Sequence, residues 1–295
     1  MKRRQFINRA AATAATMVSL PLHAANNNKE LTTTIDARIK TPLKNNIRHG
    51  VCHWCYSDIP LEEFLIAIKK IGIGAVDLMG PEEWPLLKKH GIHSSMCNGA
   101  EISLTKGWND PQYHQKLIEN YTALIPKVSA AGYTNLICFS GNRNGMSDSQ
   151  GLANCIKGLK EIMPLAEAHG VVLQMELFNQ QNHPDYMCDS TEWGVALCQG
   201  LGSDNFKLLY DIYHMQVQEG DIIKTIRDYH EYLGHYHTAG VPGRNEIDER
   251  QELYYPAIMR AILATGYEGY VSQEFVPADH DVLASLKKAI EICDV

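Results

Sequence analysis

From His49 onward the chain repeats a two-part rhythm. Short apolar runs fall near residues 49–53, 74–78, 93–97, 135–139, 171–177, 206–211, 234–238 and 269–275. Runs of this length that are apolar on both faces predict buried parallel strands. Between them lie stretches with helical spacing: Leu61–Ile71, Glu82–His90, Gln112–Ala131, Ser149–His169, Thr191–Leu201, Asp221–Tyr232, Tyr254–Thr265 and Val282–Ile292. Pro60 and Pro81 sit near first turns. Gly72, Gly91, Gly132, Gly170 and Gly266 follow helix ends, where a left-handed residue is wanted. Asp148 or Ser149, and Ser190, read as N-caps. Eight strands alternating with eight helices predict a (β/α)8 TIM barrel. An open doubly wound sheet would need a phosphate-binding GxGxxG after a strand, and Gly141–Gly145 lacks that spacing.

The segment before this rhythm reads differently. MKRRQFINR is basic and leads into the mildly apolar AAATAATMVSL, then a small-residue pattern ending at Ala24. Arg3 and Arg4 followed by Phe6 and Ile7 predict a twin-arginine signal over residues 1–24, with an ordinary secretory signal or an uncleaved N-terminal anchor as the alternatives. The low hydrophobicity of the run suits the twin-arginine route better than a membrane anchor, which needs about 18 apolar residues. Residues 25–47 read as a polar linker and 48–295 as the catalytic barrel. The expected location is the periplasm or beyond, reached by a route that carries folded proteins.

Composition narrows the partners. A net charge of -7 and a pI near 6.0 argue against a general affinity for nucleic acid or anionic membrane. Small-molecule substrates remain, and a homo-oligomer stays open. Eight cysteines follow the signal, an even count that permits disulfides in an exported protein. Most lie inside apolar runs, which favours packing. Cys52 and Cys55 have CxxC spacing but no second pair, and strand alternation would turn them to opposite faces.

The chemistry gathers in the second half. The segments VVLQMEL, KLLYDIYH, HYHTAG and YVSQEF place Glu176, Asp211, His237 and Glu274 near the ends of four successive strands. In a parallel barrel such strand ends meet at one mouth. Three carboxylates and an imidazole suit one divalent cation: Mn²⁺, Co²⁺ or Mg²⁺, with Zn²⁺ also open.

The pieces QMELFN, YDIYHMQ, HYHTAGVPGRNEI and SQEF resemble the hydroxypyruvate isomerase family. This is a branch of the xylose-isomerase-like barrels that also includes ketose 3-epimerases. The resemblance covers about residues 48–292. It implies that Glu176, Asp211, His237 and Glu274 are metal ligands, with Glu176 and Glu274 doubling as the catalytic acid/base pair. It also implies that His214 binds a substrate oxygen and that Arg244 pairs with a substrate carboxylate or hydroxyl. Hydroxypyruvate isomerases often carry Gln where this chain has His237, whereas the 3-epimerases carry His. Aldose–ketose isomerisation and 3-epimerisation therefore both stand as expectations. Imidazole also shifts the metal preference away from Mg²⁺.

The chemistry is coherent on its own terms. Moving a carbonyl between adjacent carbons requires loss of a proton α to a C=O, and the enediolate formed needs its charge stabilised by a cation. Two carboxylates on opposite sides of the substrate can take and return the proton. Lesser candidates are His53, ending the first strand, as a substrate ligand, and His183 with Asp185 in a loop that would cover the substrate. Trp54 and Tyr56 are candidates to stack on a sugar, His235 to support the ligands from deeper in the barrel, and Glu246 to orient Arg244. The competing classes are an endonuclease IV-like phosphodiesterase, which needs about three zinc ions and a basic surface, and a non-catalytic carbohydrate-binding barrel.

Overall fold

A computed structural model describes residues 42–295, and the expected signal lies outside them. Leu43–Val295 form one compact unit. Eight parallel strands close on themselves in chain order: β1 Arg48–Cys52, β2 Ala75–Met79, β3 His93–Cys97, β4 Asn135–Cys138, β5 Val172–Glu176, β6 Phe206–Asp211, β7 Leu233–Thr238 and β8 Tyr270–Gln273. The seam pairs β1 with β8, Gly50 opposite Ser272. A side chain at Gly50 would collide with Ser272 Oγ, so this close approach requires glycine.

The helices around the barrel are α1 Leu61–Ile71, α2 Trp84–His90, α3 His114–Ala131, α4 Asp148–Lys160, α5 Met163–His169, α6 Thr191–Leu201, α7 Ile212–Gln218, α8 Ile222–Tyr229, α9 Tyr255–Ala264 and α10 Val282–Cys293. Strand side chains alternate between the barrel interior and the helix layer. Tyr210 and Tyr236 precede Asp211 and His237 by one residue and so face the helices, while those two face inward. On α1 the fully buried Phe64, Leu65 and Ile68 form the stripe that holds the helix to the barrel. Each contributes roughly 1.5–3 kcal/mol of burial.

Three details differ from the sequence expectation. The helix expected over Ser149–His169 is two, because Pro164 lies in the first turn of α5 and no helix continues through it. The cap of α4 is Ser147, whose side chain accepts from Gln150 N at 3.3 Å, rather than Asp148 or Ser149. Of the expected linker, residues 43–47 lie against the barrel floor. Leu43 packs on the core, Ile47 is buried, and Lys44 N donates to Asp294 Oδ2 at 2.6 Å. No helix among the described residues is long and apolar enough to cross a membrane. All eight cysteines are free, and only Cys55 is less than fully buried.

Candidate active site

At the C-terminal mouth the barrel brings Glu176, Asp211, His237 and Glu274 together, all buried, with one ligand atom from each within 4.8 Å of the others. Register explains part of this: Asp211 pairs directly with His237, which in turn sits beside Ser272 on β8. Glu274 follows β8, its backbone N–H donating to Thr238 O at 2.8 Å.

Asp211 has a local reason for its orientation. It caps α7: Oδ1 accepts from Tyr213 N at 2.8 Å and from His214 N at 3.2 Å. That leaves Oδ2 to face the mouth, where Arg244 Nη2 donates to it at 3.1 Å. The unpredicted helix α7 therefore starts on a site residue. On the first turn of α7, His214 accepts from Asn179 N through Nδ1 at 3.2 Å. The ring proton is thus assigned to Nε2, which is buried without a hydrogen-bond partner, 3.7 Å from Asp211 Oδ2. Burial, with Arg244 adding, holds His214 well below the usual histidine range. It is a neutral donor.

His237 spans two environments. Its Nδ1 lies 2.8 Å from Glu274 Oε2 and 3.4 Å from Glu176 Oε1. The Glu274 contact has ion-pair distance but not hydrogen-bond geometry, so Nδ1 counts among the buried atoms without a partner, as does Glu176 Oε1. On the far side Nε2 lies 3.0 Å from Asp77 Oδ2 and 3.7 Å from Cys52 Sγ.

The carboxylates differ in charge state. Burial pushes Glu176 up to about 7, with the charge of Glu274 adding and His237 opposing. Burial pushes Asp211 up to about 6 against the pull of Arg244. Burial would raise Glu274 too, but His237 and Arg244 outweigh it and hold it well below the carboxylate range.

Three carboxylates and an inward imidazole nitrogen, with Glu176 Oε1 and His237 Nδ1 unsatisfied at their centre, fit a divalent cation.

Arg244 projects from the VPGR turn with φ 61°. Its Nη2 donates to Glu274 Oε2 at 2.5 Å as well as to Asp211. The guanidinium lies between the Trp54 and Tyr213 rings, 5.4 and 5.5 Å from their centroids. Trp54 also donates its indole N–H to Glu274 Oε1 at 2.8 Å. It is 45% exposed, an apolar surface at the rim of the mouth. His183 stacks on Phe178 at 4.4 Å, and its ring lies 5.4 Å from that of His214. The loop after β5 thus brings it to the same side of the mouth.

Three expected neighbours stand elsewhere. His53 turns away, its Nε2 3.0 Å from Ile59 O and its ring against Phe64, because the chain enters a 3-10 turn at His53 instead of continuing the strand. Glu246 does not meet Arg244; its Oε1 accepts from Ala278 N and Asp279 N at 2.8 and 2.9 Å. Tyr56 is core rather than rim. Sequence reasoning missed Asp77. Its signal was a lone carboxylate inside the strand AVDLM, where a buried charge demands partners.

Known proteins resemble this chain to different extents. A 2-oxo-tetronate isomerase of Cupriavidus necator is 35% identical over 112 residues, 38% of this chain and 43% of that enzyme. The matched stretch thus spans less than half of the relative's length. The hydroxypyruvate isomerase of Escherichia coli is 27% identical over 229 residues, covering 73% of this chain and 88% of that enzyme. Among solved structures, an AP endonuclease, family 2, from Brucella melitensis superposes with a TM-score of 0.73 at 22% identity, over 81% of this chain and 96% of that one. The D-psicose 3-epimerase of Clostridium cellulolyticum superposes with a TM-score of 0.69 at 18% identity, over 84% and 100%. At these identities the structural likenesses speak to fold alone. The profile of one family matches residues 55–293, nearly the whole barrel, and with eight strands closed in order around the site the chain belongs to the xylose isomerase-like TIM barrel family.

Proposed function

We propose that this protein is a divalent-metal-dependent isomerase of a small keto acid or sugar, acting in the manner of a hydroxypyruvate isomerase. The observation that carries the reading is the convergence of Glu176 and Glu274 on one imidazole nitrogen, with Asp211 completing the ligand set and Arg244 at its edge. Glu176, Asp211, His237 and Glu274 would hold the ion. When bound, the ion supplies Lewis-acid stabilisation to negative charge developing on substrate oxygen.

The remaining work belongs to the side chains. Glu176 and Glu274 have environments that push their proton affinities apart, which equips one to hold a proton and the other to accept one near neutral pH. His214 presents a neutral Nε2–H to a substrate oxygen. Arg244, with Nε buried and unpaired, offers a cation to a substrate carboxylate. Trp54 keeps the rim apolar and shields the Glu274–Arg244 contact from water.

Relatives named as hydroxypyruvate and 2-oxo-tetronate isomerases support the keto-acid reading. Ketose 3-epimerisation is the second reading, and His237 in the ligand set favours it. It uses the same proton abstraction with return to the opposite face. Incubating the metal-loaded protein in D₂O with hydroxypyruvate, a 2-oxo-tetronate and neutral ketoses tests both. Solvent deuterium at the α-carbon of a converted substrate is the expected result. Conversion without deuterium, or none across the panel, would overturn the proposal. One metal ion per chain separates it from a three-zinc phosphodiesterase.

A further inference from the structure

We propose that Asp77 is a positioning residue. It fixes the imidazole of His237 with Nε2–H directed into the barrel, so that Nδ1 is the nitrogen presented to the mouth. The inference rests on the metal-centred reading of the site. Asp77 sits on β2, separated from β7 by β1 and β8 around the barrel, and is fully buried. Three donors converge on its side chain. Ser95 donates to Oδ1. His235 Nε2 and His237 Nε2 lie 2.6 and 3.0 Å from Oδ2.

A carboxylate accepts and never donates when ionised, so each imidazole nitrogen facing it carries a proton. His237 faces carboxylates through both nitrogens, but they differ in place: Nε2–H is enclosed against Asp77, whereas any proton on Nδ1 lies at the mouth, where a cation can displace it. With Nε2–H committed to Asp77, Nδ1 is the nitrogen left facing Glu176 and Glu274. The carboxylate also makes that nitrogen more basic and holds the ring against rotation. Asp77 is itself spent on three donors and is not free to leave its place for the cation.

His235 supplies the internal control. It occupies the same strand face one layer deeper and bonds the same Asp77 oxygen, but it does not belong to the four-residue ligand set. Loss of His235 removes a donor from Asp77 while leaving the Asp77–His237 contact. Cys52, Asp77 and His237 also approach one another closely enough to be read as a separate ligand group. Under the proposal that group binds nothing, because the lone pair it would need on Nε2 is occupied by a proton.

The test titrates Mn²⁺ alone into the full chain and into Asp77→Asn and His235→Gln, following heat of binding. Asp77→Asn is expected to weaken Mn²⁺ about 10–100-fold, and His235→Gln to stay close to wild type. The metal-free protein gives a second readout. A slowly exchanging Nε2–H signal of His237 in ¹⁵N–¹H spectra should be present in wild type and His235→Gln and lost in Asp77→Asn. Where Asp77→Asn does not fold, Ser95→Ala takes its place, with a smaller loss of affinity and a shifted His237 signal expected. Equal losses in Asp77→Asn and His235→Gln would overturn the proposal, as would an unmoved His237 signal. A second Mn²⁺ bound per chain would also overturn it, since Nε2 would then be a ligand. A wild type that binds no Mn²⁺ defeats the metal reading, while the His237 signal still decides whether Asp77 orients the ring.

Discussion

Arg244 Nη2 lies 2.5 Å from Glu274 Oε2, and the same nitrogen is 3.1 Å from Asp211 Oδ2, so one guanidinium joins two of the four candidate ligand residues. Its Nε is buried and unpaired. If a substrate carboxylate takes this cation, Arg244→Lys should weaken a keto acid far more than a neutral ketose, because lysine lacks the bidentate fork. KM measured for both substrate classes checks this. Equal losses would assign Arg244 to holding the carboxylates only.

The two carboxylates should each be indispensable to turnover. Glu176→Gln and Glu274→Gln keep size and a ligand oxygen but cannot take a proton. Each is expected to lower kcat by about 10²–10⁴-fold, with substrate affinity largely kept. Each should also suppress exchange of the α-hydrogen with solvent deuterium. Near-normal turnover in either variant, with metal still bound, would end the two-carboxylate mechanism.

Metal affinity should fall as pH falls. Without metal, Glu176 is raised from 4.5 to about 7 and Asp211 from 3.8 to about 6, both by burial. A raised folded-state value means these protons stabilise the metal-free fold at low pH, and that contribution is lost as pH rises through about 6 and 7. The ion needs both groups ionised and so competes with those protons. Its Kd should improve by up to about tenfold per pH unit for each proton displaced. The gain in Tm on adding Mn²⁺ is therefore expected to be larger at pH 7.5 than at pH 5.5. A pH-independent gain would contradict the assigned protonation. Asp211→Ala should abolish the gain with the barrel intact.

We further propose export by the twin-arginine route. Replacing Arg3 and Arg4 by Lys should leave the precursor in the cytoplasm. Continued export of that variant would point to the ordinary secretory route.

The barrel was legible because its strands fall in short runs and several of its helices carry their own stop signal. Gly72, Gly91, Gly132 and Gly170 do adopt positive φ at helix ends. The convergence of Glu176, Asp211, His237 and Glu274 followed from position alone, since equivalent strand ends of one barrel share a mouth. What stayed hidden depends on neighbours across the barrel. Asp77 meets His237 over 160 residues of chain, which no local pattern encodes. His53 was misjudged because strand periodicity was carried one residue too far, past the start of a 3-10 turn. Trp54 was named only as a stacking surface. Its N–H contact with Glu274 joins the segments after the first and last strands at the β1–β8 seam, 220 residues apart in sequence.

The unpaired thiols impose an order of events. Seven of the eight cysteines are sealed inside the folded barrel and the eighth is half-buried. In an unfolded chain all eight would be open to an oxidant, and every pair that formed would be non-native, because the folded barrel holds all eight as free thiols. Such a chain gains most by finishing its fold where glutathione keeps sulfur reduced, before meeting oxidising surroundings. The interior then acts as a lock on its own redox state, and refolding in the presence of oxidant should be far less productive than refolding under reductant.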